Sequence, residues 1–253
     1  MKITIFTSDN LRHINLVNQI SKLGHECYAI IEKKGADNFQ NKSLKKKYFL
    51  KVLKAEKKIF KKIKINKKIN CLYIKWGKLK SLKRNILKQF LSSDLFIIFG
   101  SSYIKGWLCN YLIKKKAINI HMGISPFYRG AGCNFWAVYD NNIHLVGATI
   151  HYLSKDIDNG KILFHVLPSK KYINDFDFTM GSVLSAQKAL ISSIKSKKIF
   201  KFHPFTQNKK KEIRYSKIKD FNNTVIKNYF KNKRKFKVPN YNIKNYIHPY
   251  FDR

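Results

Sequence analysis

Apolar residues recur along this chain with two periods, and the alternation between them predicts its elements. Residues 2–8 (KITIFTS) read as an apolar strand ending in a polar turn. Leu11, Ile14, Leu16, Ile20 and Leu23 then fall at helical spacing over 10–23, Gly24 stops the helix, and 26–32 (ECYAIIE) is a second buried strand. The chain therefore opens as a β–α–β unit.

From 33 to about 68, Phe, Leu and Ile recur every three or four residues among many lysines, which predicts an exposed amphipathic helix with a basic face. Further strands are expected at 70–76, 95–100 (LFIIFG), 117–122 (AINIHM), 146–153 and 161–167. Helices are expected at 80–91, 103–115, 134–140 and 176–196. Residues 123–132 (GISPFYRGAG) read as a Pro- and Gly-rich loop, and 155–160 as a tight turn. Strands alternating with helices argue for an α/β fold with an open sheet, not a sandwich. After about Phe200 the pattern weakens into a basic, Tyr- and Asn-rich stretch. The expected division is a main domain over 1–200 and a short basic C-terminal extension over 201–253.

Composition changes this picture in two places. A formal charge of +38 would attract nucleic acid, anionic membrane or a phosphorylated substrate. Yet Lys, Asn, Ile, Phe and Tyr are abundant together while Ala and Gly are scarce, as a genome biased towards A and T would write on a permissive surface; the charge alone assigns no partner. Cys27, Cys71, Cys109 and Cys133 are far apart with no metal or disulfide spacing, and there is no secretory segment and no apolar run of membrane-spanning length. A cytoplasmic location with reduced thiols is expected.

Candidate chemistry gathers at 119–121. On a strand, Asn119 and His121 project to one face and Ile120 to the other, just before the Pro/Gly loop. Ligands of open α/β sheets gather at such strand ends. An amide N–H and an imidazole there suit a reaction in which charge develops on an oxygen and a proton leaves an attacking nitrogen. Asp158, in the turn between two strands, is the acidic partner that would orient His121 and accept a proton. Arg129 is a candidate for a substrate phosphate or carboxylate. His144, His151 and His165 match no zinc spacing, so no metal is expected and His151 and His165 read as strand-face residues.

The stretch 118–164, INIHMGISPFYRGAGCNFWAVYDNNIHLVGATIHYLSKDIDNGKILF, resembles the folate-dependent formyltransferase family. The N-x-H strand end, the S-P-F-Y-R-G loop, the V-G-A-T-I strand and the D-x-G turn carry that resemblance together. It implies a Rossmann-like, mostly parallel sheet flanked by helices, with Asn119, His121 and Asp158 as catalytic triad and 10-formyltetrahydrofolate as formyl donor. It further implies that Gly123, Ile124, Ser125 and Pro126 contact the folate, and that 95–100, ending at Gly100, walls the pterin. The expected acceptor is a phosphorylated small-molecule amine, such as that of a nucleotide-linked amino sugar.

Two features depart from the family's other branches. Residues 7–13 (TSDNLRH) lack the glycine-rich phosphate loop of glycinamide ribonucleotide formyltransferases. The stretch after Phe200 is too short for the full C-terminal barrel of methionyl-tRNA formyltransferases. A tRNA formyltransferase with a reduced tail, a formyl-folate hydrolase, and a basic nucleic-acid-binding module using Tyr215, Phe221, Tyr229, Phe230, Tyr241 and Tyr246 for stacking are the rival readings. Oligomeric state is not legible from the sequence.

Overall fold

A computed structural model describes residues 1–35, 43–61, 63–169, 172, 174–232, 236, 237 and 239. Seven strands form one sheet in the order β3-β2-β1-β4-β5-β7-β8. Here β1 is Lys2–Ser8, β2 Glu26–Lys33, β3 Asn70–Lys75, β4 Leu95–Phe99, β5 Ile118–His121, β7 Ala148–Tyr152 and β8 Ile162–Val166. A short parallel pair, β6 (Tyr128–Gly130) with β9 (Arg214–Ser216), lies outside it. The helices are α1 (Leu11–Ser21), α2 (Leu44–Phe60), α3 (Arg84–Leu91), α4 (Gly106–Lys114), α5 (Cys133–Tyr139), α6 (Asp175–Lys195) and α7 (Asn223–Lys231). Strands β1 to β5 are parallel, and β7 and β8 close the sheet antiparallel. The fold is Rossmann-like α/β.

Alternation along the buried strands sorts their side chains into two layers. Ile3, Ile5, Ile97, Phe99, Ile118 and Ile120 join the core under α1, α2 and α6, whereas Phe6, Ile30, Phe96 and Ile98 pack under α3 and α4. Both layers are predominantly apolar, with Thr4 satisfied by the Phe90 carbonyl and Ser93. Ile5→Ala, in the middle of β1 with no exposure, is expected to cost about 2–5 kcal/mol in urea unfolding, because the sheet centre cannot collapse onto the void. A loss below about 1 kcal/mol would mean that this strand is not the packing centre.

Helix α2 is shorter than the amphipathic pattern of 33–68 suggests. Lys61 turns left-handed (φ 53°) and ends it, and 63–68 continue as coil despite their apolar spacing; residues 36–42 and 62 of that stretch lie outside the described set. The helix expected from 80 begins at Arg84 after a single 3₁₀ turn at Leu79–Ser81. Tyr241 and Tyr246 lie outside the described residues. Phe221 and Tyr229 are not stacking platforms in solvent: with Tyr48 and Phe135 they form a cluster of rings 4.8–5.7 Å apart, which seats α7 against α2 and α5. No helix among the described residues is long and apolar enough to cross a membrane.

Candidate active site

Strand β5 carries Asn119 and His121 on the face opposite Ile118 and Ile120. In the antiparallel pairing with β7, Asn119 stands opposite His151 and His121 opposite Thr149, and Thr149 in turn stands opposite His165 of β8. Directly opposed residues share a face, so these side chains make a polar stripe across the outer half of the sheet. A register shift between Ile150 and His151 sets His151 at a bulge, a device that re-aims one side chain.

Asp158 reaches this stripe by an indirect route. Because β7 runs against β5, it leaves the sheet beside the amino end of β5, where Leu153 N donates to Ala117 O at 2.7 Å. Residues 153–161 must then double back over the sheet face. Asp158 itself sits in the left-handed region (φ 49°), uncommon for a residue with a side chain.

Its carboxylate is where the site converges. Asp158 Oδ2 lies 3.2 Å from His121 Nδ1 and accepts from Gly130 N at 3.1 Å; Oδ1 accepts from Asn119 Nδ2 at 3.3 Å and lies 3.8 Å from His151 Nε2. Asn119 Nδ2 also lies 3.1 Å from His151 Nε2. His151 Nδ1 faces the carbonyl of Tyr152 at 2.8 Å, which places a proton on Nδ1; Nε2 accepts from the amide when the ring is neutral and faces Asp158 as a donor when it is charged. His121 Nε2 faces the Tyr128 carbonyl at 3.0 Å. Both nitrogens of His121 thus meet acceptors inside the protein, and a direct hydrogen bond from it to a reacting oxygen would require one of these to be exchanged.

Burial alone would raise the Asp158 pKa, but His121, His151 and the Gly130 N–H outweigh it and hold the carboxyl at about 2. Burial pushes His121 below the ordinary 6.5 despite the pull of Asp158 in the other direction, so the ring takes a second proton reluctantly and gives it up easily. His13, also buried, lies well below 6.5.

These shifts set an acid profile. A histidine with a depressed folded pKa loses its stabilising contribution as pH falls below the unfolded value near 6.5, since the unfolded chain takes the proton first. A carboxyl with a depressed pKa loses its contribution as pH falls from 3.8 through about 2. Unfolding free energy is therefore expected to decline first below pH ~6.5 and again below ~4. Urea midpoints across pH 3–8 would show this, and a flat profile would contradict it.

The other expected site residues divide. Gly100 is half-buried at the end of β4 (φ 67°), and a Cβ there would strike the His13 ring. Gly123, Ile124, Ser125 and Pro126 are all buried: Thr149 Oγ1 donates to Gly123 O at 2.6 Å and accepts from Ser125 N at 2.8 Å, while Ser125 O lies 2.7 Å from His165 Nε2. The loop is fastened to the stripe, and the Ile124 and Ser125 side chains do not open to solvent. Arg129 is 8% exposed and committed, donating Nη1 to Glu212 at 2.7 Å and Nη2 to Ile157 O at 2.8 Å. It stands beside the Asp158 turn with one bond from each terminal nitrogen and its buried Nε without a hydrogen-bond partner among the described residues. His151 is the residue that strand reading left unassigned; a histidine opposite the N-x-H asparagine becomes visible only once β5 and β7 are known to pair.

A cavity of about 1080 Å³ lies elsewhere, between α2, α6 and α7, lined among others by Lys51, Lys54, Lys58, Phe176 and Tyr229. It contains none of Asn119, His121, His151 or Asp158. Convergent polar groups, not cavity size, locate the chemistry.

No family model matches the sequence. Over 144 residues, 54% of this chain and 42% of the relative, it is 26% identical to "formyltetrahydrofolate deformylase 1, mitochondrial" of Arabidopsis thaliana. The chain spans less than half the length of the curated relatives it matches. Among solved structures, glycinamide ribonucleotide transformylase 1 from Symbiobacterium toebii is similar with a TM-score of 0.56 at 12% identity, over 82% of this chain and 94% of that one. An N-formyltransferase from Helicobacter canadensis, in complex with folinic acid and dTDP-3-aminofucose, is similar with a TM-score of 0.53 at 18% identity, over 88% and 73%. The chain has the fold of the folate-dependent formyltransferases.

Proposed function

We propose that this protein transfers a formyl group from 10-formyltetrahydrofolate, which is consumed as a substrate, to a primary amine of a small phosphorylated acceptor. The observation that carries this reading is the convergence of an ionised, buried Asp158 on both His121 and Asn119, at 3.2 and 3.3 Å, on a sheet of formyltransferase architecture. As the amine attacks the formyl carbon, a C–N bond forms and charge collects on oxygen. The Asn119 N–H now held by a long bond to Asp158 is free to turn to that oxyanion, and His121 supplies positive charge once protonated at Nδ1. Asp158 draws the proton from the attacking nitrogen, directly or through water. The carbon–nitrogen bond to the folate then breaks as that nitrogen takes a proton.

A nucleotide-linked amino sugar is the acceptor we favour, in line with the dTDP-3-aminofucose bound to the Helicobacter enzyme. Where a glycine-rich phosphate loop would follow β1, the chain instead places Ser8 and His13 in contact at 2.6 Å, both buried, and Arg12 pairs with Glu56 at 2.9 Å. The space next to the backbone is taken by side chains. Similarity to the deformylases supports a second reading in which water replaces the amine.

Release of tetrahydrofolate from the donor, with no acceptor, with amino-sugar nucleotides or with Met-tRNA, tests these together in the parent and in His121→Ala. Acceptor-dependent release lost in His121→Ala establishes the transferase; equal release without acceptor establishes the hydrolase; no turnover of any kind overturns both. His151→Ala is expected to lower turnover roughly tenfold, as the Asn119 amide loses the acceptor that orients it. An unchanged turnover number would remove His151 from the site.

A further inference from the structure

We propose that residues 205–216 form a strap that holds the Asp158 turn over the sheet, and that Gln207 is a positioning residue for the Asp158 carboxylate. The inference rests on the function proposed above. A turn that doubles back over a sheet face has no strand partner for its carbonyls, and here they are satisfied from outside. Gln207 Nε2 donates to Asp158 O and to Gly160 O, each at 2.8 Å, and Arg129 Nη2 donates to Ile157 O. Gln207 is buried and its hydrogen bonds go to backbone carbonyls of the turn, so it acts on the carboxylate through the backbone that carries it.

The strap is anchored at both ends. Phe205 and Ile162 exchange backbone hydrogen bonds at 2.8 and 3.0 Å beside β8. At the other end, Ile213 N and Arg214 N both donate to Phe127 O, β9 pairs with β6, and Ala131 N donates to Ser216 O at 2.8 Å. Between these anchors Glu212 holds Arg129. The approach at Gly130 is so close that a Cβ there would strike Ser216 O, and that same Gly130 gives its N–H to Asp158. One segment thus braces the turn from behind and presses the opposing loop towards it.

The test separates aim from mere folding. In Gln207→Leu, histidine-labelled protein is titrated by NMR, with the His121 signal assigned by its loss in His121→Ala. The expected result is that His121 titrates at lower pH than in the parent, since the carboxylate that pulls it up has withdrawn. Turnover number falls on the order of 10- to 100-fold while KM for the formyl donor is unchanged. Gln207→Asn, whose shorter amide cannot span both carbonyls, should move both readouts the same way by less. A lowered melting temperature with His121 titration and turnover number unchanged overturns the proposal, and so does failure of both variants to fold. The titration needs no substrate, so absence of formyl transfer in the parent would sink the proposed function and leave the strap to be judged by NMR alone.

Discussion

Asp158→Asn is expected to reduce formyl transfer by about 10³-fold, within the range of 10² to 10⁴ that a group moving a proton contributes. The substitution keeps the shape of the side chain but removes the charge on which the site is built and turns one of its two accepting oxygens into a donor. Without that charge, only the hydrogen bond to the Tyr128 carbonyl is left to oppose the burial of His121, whose pKa falls further below 6.5. Neither a proton acceptor for the attacking amine nor a charge-bearing imidazole is then at hand. The rate measured from pH 5 to 9 checks this. In the parent, Asp158 is ionised throughout, because its pKa is about 2, so any acid limb belongs to another group. Should Asp158→Asn keep more than about a tenth of the parent rate, the carboxylate would be a structural brace and not a participant.

Gly160→Ala is expected to destabilise the fold through the Asp158 turn. A Cβ at Gly160 would fall on the carbonyl oxygen of Tyr152 and within 2.9 Å of His151 Nδ1, the two atoms whose mutual hydrogen bond fixes the His151 tautomer. Neither is the loose end of a flexible side chain, so the methyl is accommodated only by pushing the turn off the sheet. We expect a loss of about 3 kcal/mol, at the upper end for overpacking, and a corresponding fall in the urea midpoint. Gly24→Ala provides the control. Its Cβ would meet nothing within 4 Å and only its left-handed φ of 78° is strained, at a cost of roughly 1 kcal/mol. Equal losses in the two variants would mean that the turn yields easily.

The central strands were legible because β1, β2 and β4 are buried on both faces and are rich in apolar residues. Helix α2 was overextended because its Lys/Ile spacing continues through 63–68, where periodicity persists after Lys61 has turned the chain. The N-x-H strand and the D-x-G turn directed attention to Asn119, His121 and Asp158, and the structure brings these within 3.3 Å of one another through Asp158. His151 was not legible in that role, since cross-strand register decides it. The stretch after Phe200 read as an appendage because its work is done by backbone pairing and by single side chains such as Gln207 and Glu212, which leave no period. β6 is three residues inside a Pro/Gly loop, and its partner is far away in sequence.

The pairing of β6 with β9 also has a consequence for the order of events as the chain is made. Chains emerge amino end first, and early segments fold before later ones exist. The helices and strands up to Lys195 hold everything the main sheet needs, yet the braces on the Asp158 turn come from Gln207 and Glu212, and the strand that presses Gly130 inward comes after them. A nascent chain released from synthesis before Ser216 would carry Asn119, His121 and Asp158 and still lack the braces that hold them together. Competence for the proposed reaction would arrive as a late, discrete step, only as the segment up to Ser216 is laid down on a scaffold already folded.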